Sequence, residues 1–138
     1  MKIQVVNGPN LNLLGKREPE IYGNQTLQDL ENLLVQTFPQ VNFEFFQSNH
    51  EGEIVDALQK ADSQADGIIV NAAGYSHTSV AIADAFAAVS IPKIEVHISN
   101  IYRREKFRHQ SLLAPHANGI IIGIGFKGYL LAAQAIVS

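Results

Sequence analysis

The chain contains no cysteine, which excludes disulfides, zinc–thiolate centres and a thiol nucleophile, and fits a reducing compartment. It has no apolar run near the roughly 20 residues that a membrane-spanning helix requires. It carries no excess of positive charge. Ten Lys and Arg against thirteen Asp and Glu leave −3 at pH 7, so the electrostatic footprint of a nucleic-acid binder is missing. Charged residues reach only 17%, below the roughly 25% of an average domain, and this predicts that part of the surface is buried by self-association. Met1 to Gln4 run straight into a strand pattern, so a soluble cytoplasmic protein with neither a membrane nor a nucleic-acid partner is expected. At 138 residues, positions 1–138 are expected to form one domain around one core.

The most informative stretch is Lys93 to Asn100, K-I-E-V-H-I-S-N. Ile94, Val96 and Ile98 alternate with Glu95, His97 and Ser99, so a strand here has one apolar and one polar face. The runs Ile68 to Val70 and Ile120 to Ile124 are instead almost wholly apolar, as in parallel strands covered on both sides. A carboxylate, an imidazole and a hydroxyl aligned on a buried strand must be hydrogen-bonded or used. The alternative is an edge strand with one solvated face.

Along the chain, Ile3 to Asn7 reads as a first strand broken by Gly8-Pro9-Asn10. Leu14 to Gln25 has no periodicity, carries Arg17 and Tyr22, and is long enough to be a lid or binding loop. Thr26 with Asp29 has capping-box spacing ahead of an apolar stripe at Leu27, Leu30, Leu34 and Phe38. A second strand begins at Val41. Ser48 with Glu51 predicts the cap of a second helix that buries Ile54, Val55, Leu58 and Ala61. Ile68 to Val70 runs into the irregular polar loop Asn71 to Ser79. The helix from Ser79 to Val89 is apolar nearly all round and is expected to be buried on more than one side, with Asp84 its single ionisable residue. Arg103 to Gln110 reads as a short basic helical piece with Arg104 and Arg108 on one face. A fifth strand at Ile120 to Ile124 and a helix from Lys127 to Val137 close the chain. Five alternations of strand and helix predict an α/β fold: a flavodoxin-like, doubly wound, five-stranded parallel sheet with helices on both faces. Ligands of such sheets bind beyond the carboxyl ends of the strands, where Asn10, Asn71, His97 and Ser99 all fall.

Several motifs fail on context. Gly123-Ile124-Gly125-Phe126-Lys127-Gly128 matches a dinucleotide fingerprint, but only ten residues follow Gly128, too few for the acidic ribose ligand and the next strand. Ser76 is not in a nucleophile elbow, and the five histidines lack metalloprotease spacing. Glu95 and His97 lack a third ligand beside them, so no metal is assigned. A receiver-type module would need an acidic pocket after the first strand, where this chain has Asn7-Gly8-Pro9-Asn10. The remaining polar groups, Asn10, Arg17, Tyr22, Asn71, His77, Glu95, His97, Ser99, Arg104 and Arg108, suit a small polyhydroxylated anion and proton transfer. A tyrosine serves as base only as a phenolate, which a neighbouring guanidinium favours, and Arg17 or Arg104 could supply that charge. With a histidine as donor to a departing hydroxyl, the set describes elimination of water.

The phrases N-G-P-N-L at 7–11, R-E-P-E-I-Y-G at 17–23, N-A-A-G-Y-S-H-T-S at 71–79, I-E-V-H-I-S-N at 94–100 and R-E-K-F-R at 104–108 together resemble type II 3-dehydroquinate dehydratase along the whole chain. The resemblance implies a single catalytic domain, a lyase of the shikimate or quinate pathway. It converts 3-dehydroquinate to 3-dehydroshikimate by anti elimination through an enolate, without cofactor or metal, as a homododecamer of four trimers. Carried over by position, Tyr22 resembles the base that takes the C2 proton, with Arg17 holding the phenolate and Arg104 in support. Asn10 would stabilise the enolate through a water, His97 would protonate the leaving C1 hydroxyl, and Glu95 would orient His97. Asn71 and the amides of Ile98 and Ser99 would hold the substrate carboxylate, while His77 and Arg108 would bind ring hydroxyls. Asp84 would reach a neighbouring subunit's site. Lys16, Ala73 and Tyr75 depart from the commonest pattern without touching a chemical role, though Tyr75 is placed to alter the pocket wall. Two other classes remain open to the sequence: a flavodoxin-like module that binds a small polyhydroxy acid without turnover, and a structural assembly protein.

Overall fold

The runs that read as strands pair into one sheet in a computed structural model that describes residues 1–138. Strands β1 (Lys2–Asn7), β2 (Asn42–Gln47), β3 (Gly67–Asn71), β4 (Lys93–His97) and β5 (Gly119–Ile122) are all parallel, in the order β2-β1-β3-β4-β5. This is the flavodoxin-like order, with the topological switch at β1 and β3. Helices α2 (Leu27–Thr37) and α5 (Lys127–Val137) cover one face, where Leu30, Leu34, Tyr129 and Ala132 meet Ile3, Val5 and Val96. Helices α3 (Glu51–Gln64) and α4 (Val80–Ala88) cover the other, where Ile54, Leu58, Ile82 and Phe86 meet Val6, Ile68 and Val70. No helix is long and apolar enough to cross a membrane.

β4 is central. It lies between β3 and β5, with Ile94, Val96 and Ile98 in the α2/α5 layer, so the reading of it as an edge strand does not hold. Its polar row is buried on the other face: Lys93 is 8% exposed, Glu95 0% and His97 5%. Lys93 Nζ donates to the carbonyls of Phe86 at 2.6 Å and Val89 at 2.8 Å, where the C-terminal end of α4 favours a cation. Burial still pushes the Lys93 ammonium below the ordinary lysine range. Glu95 and His97 hydrogen-bond to each other through Oε2 and Nε2.

The helix starts differ in kind. Thr26 and Asp29 form the capping box expected of them, with reciprocal bonds of 2.9 and 3.1 Å. Ser48 does not cap α3: His50 holds the N-cap position, and Ser48 instead accepts the His50 N–H at 2.9 Å and donates to Glu53. On α4 only one side is covered within the chain. Ile82, Ala83, Ala85 and Phe86 are buried, while Val80, Ala81, Asp84 and Ala87 are exposed. β5 departs from expectation in the same sense. It is the sheet edge, one strand face is uncovered, and Ile120 and Ile124 are 44% and 46% exposed. The basic piece after β4 is two short 3₁₀ turns, Ile101–Arg103 and Lys106–Arg108, separated by an extended Arg104.

At the end of β1 the chain passes very close to β3. A Cβ on Gly8 would lie 2.5 Å from the backbone oxygen of Ala72. Because backbone cannot step aside as a flexible side chain can, Gly8→Ala is expected to lower stability by about 1–3 kcal/mol, read as a lower thermal midpoint. An unchanged midpoint would show that the strand ends can separate freely.

Candidate active site

The carboxyl ends of β1, β3 and β4 open onto a cleft of about 130 Å³. From the first crossover come Asn10, Arg17 and Tyr22, and from the β3 end come Asn71 and His77. β4 and the turns after it supply His97, Ile98, Ser99, Arg104 and Arg108. Two residues singled out in the sequence are elsewhere. Glu95 is wholly buried behind His97, and Asp84 is on the exposed side of α4, outside the cleft. Tyr75 is also not on the wall; its hydroxyl donates to the Asn49 carbonyl at 3.0 Å.

Local geometry explains how each group is presented. Asn10 has φ 70°, a left-handed conformation that Asn tolerates, and its N–H donates to Asn49 Oδ1 at 3.0 Å. The aperiodic Leu14 to Gln25 segment folds one short helix, α1 (Pro19–Tyr22). Pro19 opens it, where a missing N–H costs nothing, and Gly23 closes it at φ 80°. Tyr22 is thereby brought against Arg104, whose Nη1 donates to the phenol oxygen at 2.6 Å and whose guanidinium stands 5.5 Å from the ring centroid. Arg17 lines the same cleft, but its Nη2 is 3.6 Å from Glu18. The guanidinium in contact with Tyr22 is therefore that of Arg104.

On the opposite strand, His97 Nε2 is 2.5 Å from Glu95 Oε2, which leaves Nδ1 without a protein partner. His77 stacks beside it, ring centroids 6.0 Å apart and planes at 24°. Its Nδ1 is 2.8 Å from the Gln110 carbonyl, which can only accept, so the proton sits on Nδ1. Burial holds His77 below the ordinary histidine range, and its Nε2 is consequently a bare acceptor near neutrality. Arg108 Nε donates to Glu105 at 2.7 Å, and this contact keeps the Glu105 carboxyl below its usual range.

Two supporting side chains, Tyr129 and Ser111, were not singled out in the sequence. Tyr129, on α5 and completely buried, donates to Asn7 Oδ1 at 2.6 Å and accepts from Asn71 Nδ2 at 3.0 Å. Asn71 Oδ1 accepts the N–H of Ala73 at 3.1 Å, and with one Nδ2–H on Tyr129 Asn71 can donate to the cleft only through its second N–H. Ala73 holds φ 52°, which costs a non-glycine residue about 1–2 kcal/mol and places strain on the cleft wall. Ser111 bonds to Glu95. No spacing rule links residue 7 or 71 to 129, or 95 to 111; only the folded sheet brings them together.

A flavodoxin-like sheet whose strand ends gather a phenol, two imidazoles and several guanidiniums in one cleft is the arrangement of an α/β enzyme with its site at the carboxyl ends of the strands. The chain belongs to the class II dehydroquinase family, whose profile it matches over residues 1–137. A 3-dehydroquinate dehydratase of Bacillus licheniformis is 57% identical over 132 residues, covering 94% of this chain and 91% of that protein. Among solved structures, a type II dehydroquinase from Butyrivibrio crossotus is 50% identical with a TM-score of 0.97, covering 100% of this chain and 98% of that one. The type II dehydroquinase of Propionibacterium acnes is 40% identical with a TM-score of 0.93, covering 99% and 97%.

Proposed function

We propose that this chain, as a cytoplasmic catalytic domain of the shikimate or quinate pathway, dehydrates 3-dehydroquinate to 3-dehydroshikimate by anti elimination through an enolate. One observation carries the mechanism: a phenol held by Arg104 at 2.6 Å and an imidazole held by Glu95 at 2.5 Å line the same small cleft. A cationic donor on the phenol oxygen is what a tyrosinate base needs. Tyr22 takes the C2 proton, and the electron pair moves onto the C3 carbonyl oxygen as an enolate, which Asn10 stabilises as an oxyanion-type donor. The pair then returns to form the C1–C2 double bond as the C1 hydroxyl leaves, and His97, protonated on both ring nitrogens, gives that oxygen its Nδ1 proton while Nε2–H stays on Glu95, so that water departs and the neutral Nε2–H ring is left. Arg17 contributes positive charge on the loop side. Asn71, through its one free N–H, and the amides of Ile98 and Ser99 hold the carboxylate. No step is assigned to a metal or cofactor.

His77 has a defined part in this scheme. Its bare Nε2 accepts a substrate hydroxyl while Arg108 donates to another. Protonation removes that acceptor, and because burial lowers the pKa, KM is expected to rise only as the pH falls below the ordinary histidine value of about 6.5. KM measured against pH should show this limb in the native chain and lose it in His77→Gln. A limb that persists in the variant belongs to another group.

Assembly is proposed as a homododecamer of four trimers, in which Asp84 reaches a neighbouring cleft. The low charge and the uncovered apolar side of α4 support it. Light scattering measures the mass directly. The activity is tested by near-UV absorbance of 3-dehydroquinate mixed with the protein, with and without a chelator, since dehydration creates a conjugated enone. Growth of absorbance insensitive to chelator supports the scheme, and its absence with binding retained would favour a binding module.

A further inference from the structure

Ser111 is outside the cleft, between the turns Lys106–Arg108 and Ala114–His116, and the proposed chemistry gives it no part. Its Oγ donates to Glu95 Oε2 at 2.6 Å, the same oxygen that holds His97 Nε2 at 2.5 Å. The other carboxylate oxygen, Oε1, is buried and has no hydrogen-bond partner. A carboxylate with 0% exposure therefore concentrates its hydrogen bonding on one oxygen, and Ser111 supplies one of the two bonds.

The direction of the Ser111 proton follows from its other contacts. The backbone N–H groups of Leu113 and Ala114 both donate to Oγ at 3.2 Å. They occupy the hydroxyl lone pairs, so the hydroxyl proton points to Glu95. The carboxylate then acts as acceptor from both sides, which makes His97 Nε2 the donor and leaves Nδ1 as the free ring nitrogen. The flanking residues serve the second imidazole. The Gln110 carbonyl takes His77 Nδ1 at 2.8 Å, and the Leu112 N–H donates to the Ser76 carbonyl at 2.7 Å. Residues 110–112 thus support both imidazoles of the cleft from behind.

We propose that Ser111 is a positioning residue for the dehydration, fixing the orientation and ring tautomer of His97 by donating its hydroxyl proton to Glu95. The proposal rests on the reading of His97 as the acid. A role as a cap for the following turn would use only the accepting side of the hydroxyl; the proposal depends on the donating side.

Two variants of the full chain and the His97 ring separate the two. Ser111→Thr keeps both functions and Ser111→Ala loses both. With 3-dehydroquinate as substrate, Ser111→Ala is expected to lower kcat about 10–100-fold with KM changed less than about twofold, while Ser111→Thr restores kcat. The ¹⁵N signals of the His97 ring are expected to report Nε2–H in the neutral ring of the native chain and a mixture of tautomers in Ser111→Ala, whereas loss of a turn cap alone would leave them unchanged. Failure of a folded Ser111→Thr variant to restore, an unchanged kcat in Ser111→Ala, or unchanged His97 signals in Ser111→Ala would each overturn the proposal. If Ser111→Ala does not fold, the native chain decides: Nδ1–H in the neutral His97 ring overturns it, and Nε2–H supports it. Absence of turnover by the native chain would instead remove the dehydratase reading, while the ring signals still test what Ser111 does to His97.

Discussion

Tyr22→Phe is expected to lower kcat by about 10²–10⁴-fold, the range that a positioned base contributes, while leaving the fold and most substrate binding intact. The variant removes one oxygen and keeps the aromatic ring, which continues to stack under the Arg104 guanidinium. Phe has no group to accept the C2 proton, so the loss should fall on kcat with KM nearly unchanged. The same contact ranks the two arginines. Arg104 donates to the phenol oxygen at 2.6 Å whereas Arg17 Nη2 is near Glu18, so Arg104→Gln should cost more in kcat than Arg17→Gln. Near-native turnover of the phenylalanine variant would remove Tyr22 from the chemistry, and the reverse ranking would return the role of holding the phenolate to Arg17.

His97→Ala is expected to reduce kcat by a similar factor and, unlike the tyrosine variant, to destabilise the protein as well. The reason is Glu95. It is completely buried, its Oε1 has no partner, and without the imidazole only Ser111 remains on Oε2. Leaving a buried carboxylate underbonded costs about 1–3 kcal/mol or more. His97→Gln, which can again offer an N–H to Glu95, should recover much of the stability and none of the turnover, because an amide cannot act as the acid. Thermal midpoints and kcat measured on both variants separate the structural and chemical roles. Recovery of turnover by glutamine would show that a hydrogen-bond donor suffices at this position.

The legible parts of the fold were those set by local pattern. Apolar strands separated by amphipathic helices, the Thr26–Asp29 box and the glycines at strand ends each reflect short-range physics, and each element formed within a few residues of its expected bounds. Ser48 was misassigned because its spacing to Glu51 mimics a capping box, while the chain leaves β2 so that His50 takes the cap position. β5 formed as a strand, but the covering of both its faces was misread, because an apolar run has the same composition whether both of its faces are covered or one is left at a sheet edge. The cleft was legible through the rule that parallel sheets bind at their carboxyl ends, which placed Asn10, Asn71, His97 and Ser99, and through the family resemblance, which completed the set: ten of the twelve residues singled out line it.

The sequence by itself determined the element order, the parallel sheet, the polar row on β4 and the inventory of phenol, imidazole and guanidinium groups, because these depend on residue type and on periods of two or 3.6. Tertiary structure alone decided which of those groups touch. The sequence separations of 82 from Tyr22 to Arg104, 58 from Asn71 to Tyr129 and 16 from Glu95 to Ser111 are closed only by sheet order and helix packing. A hydrogen bond depends on direction and on tenths of an ångström, and those follow from how the layers stack rather than from any spacing along the chain.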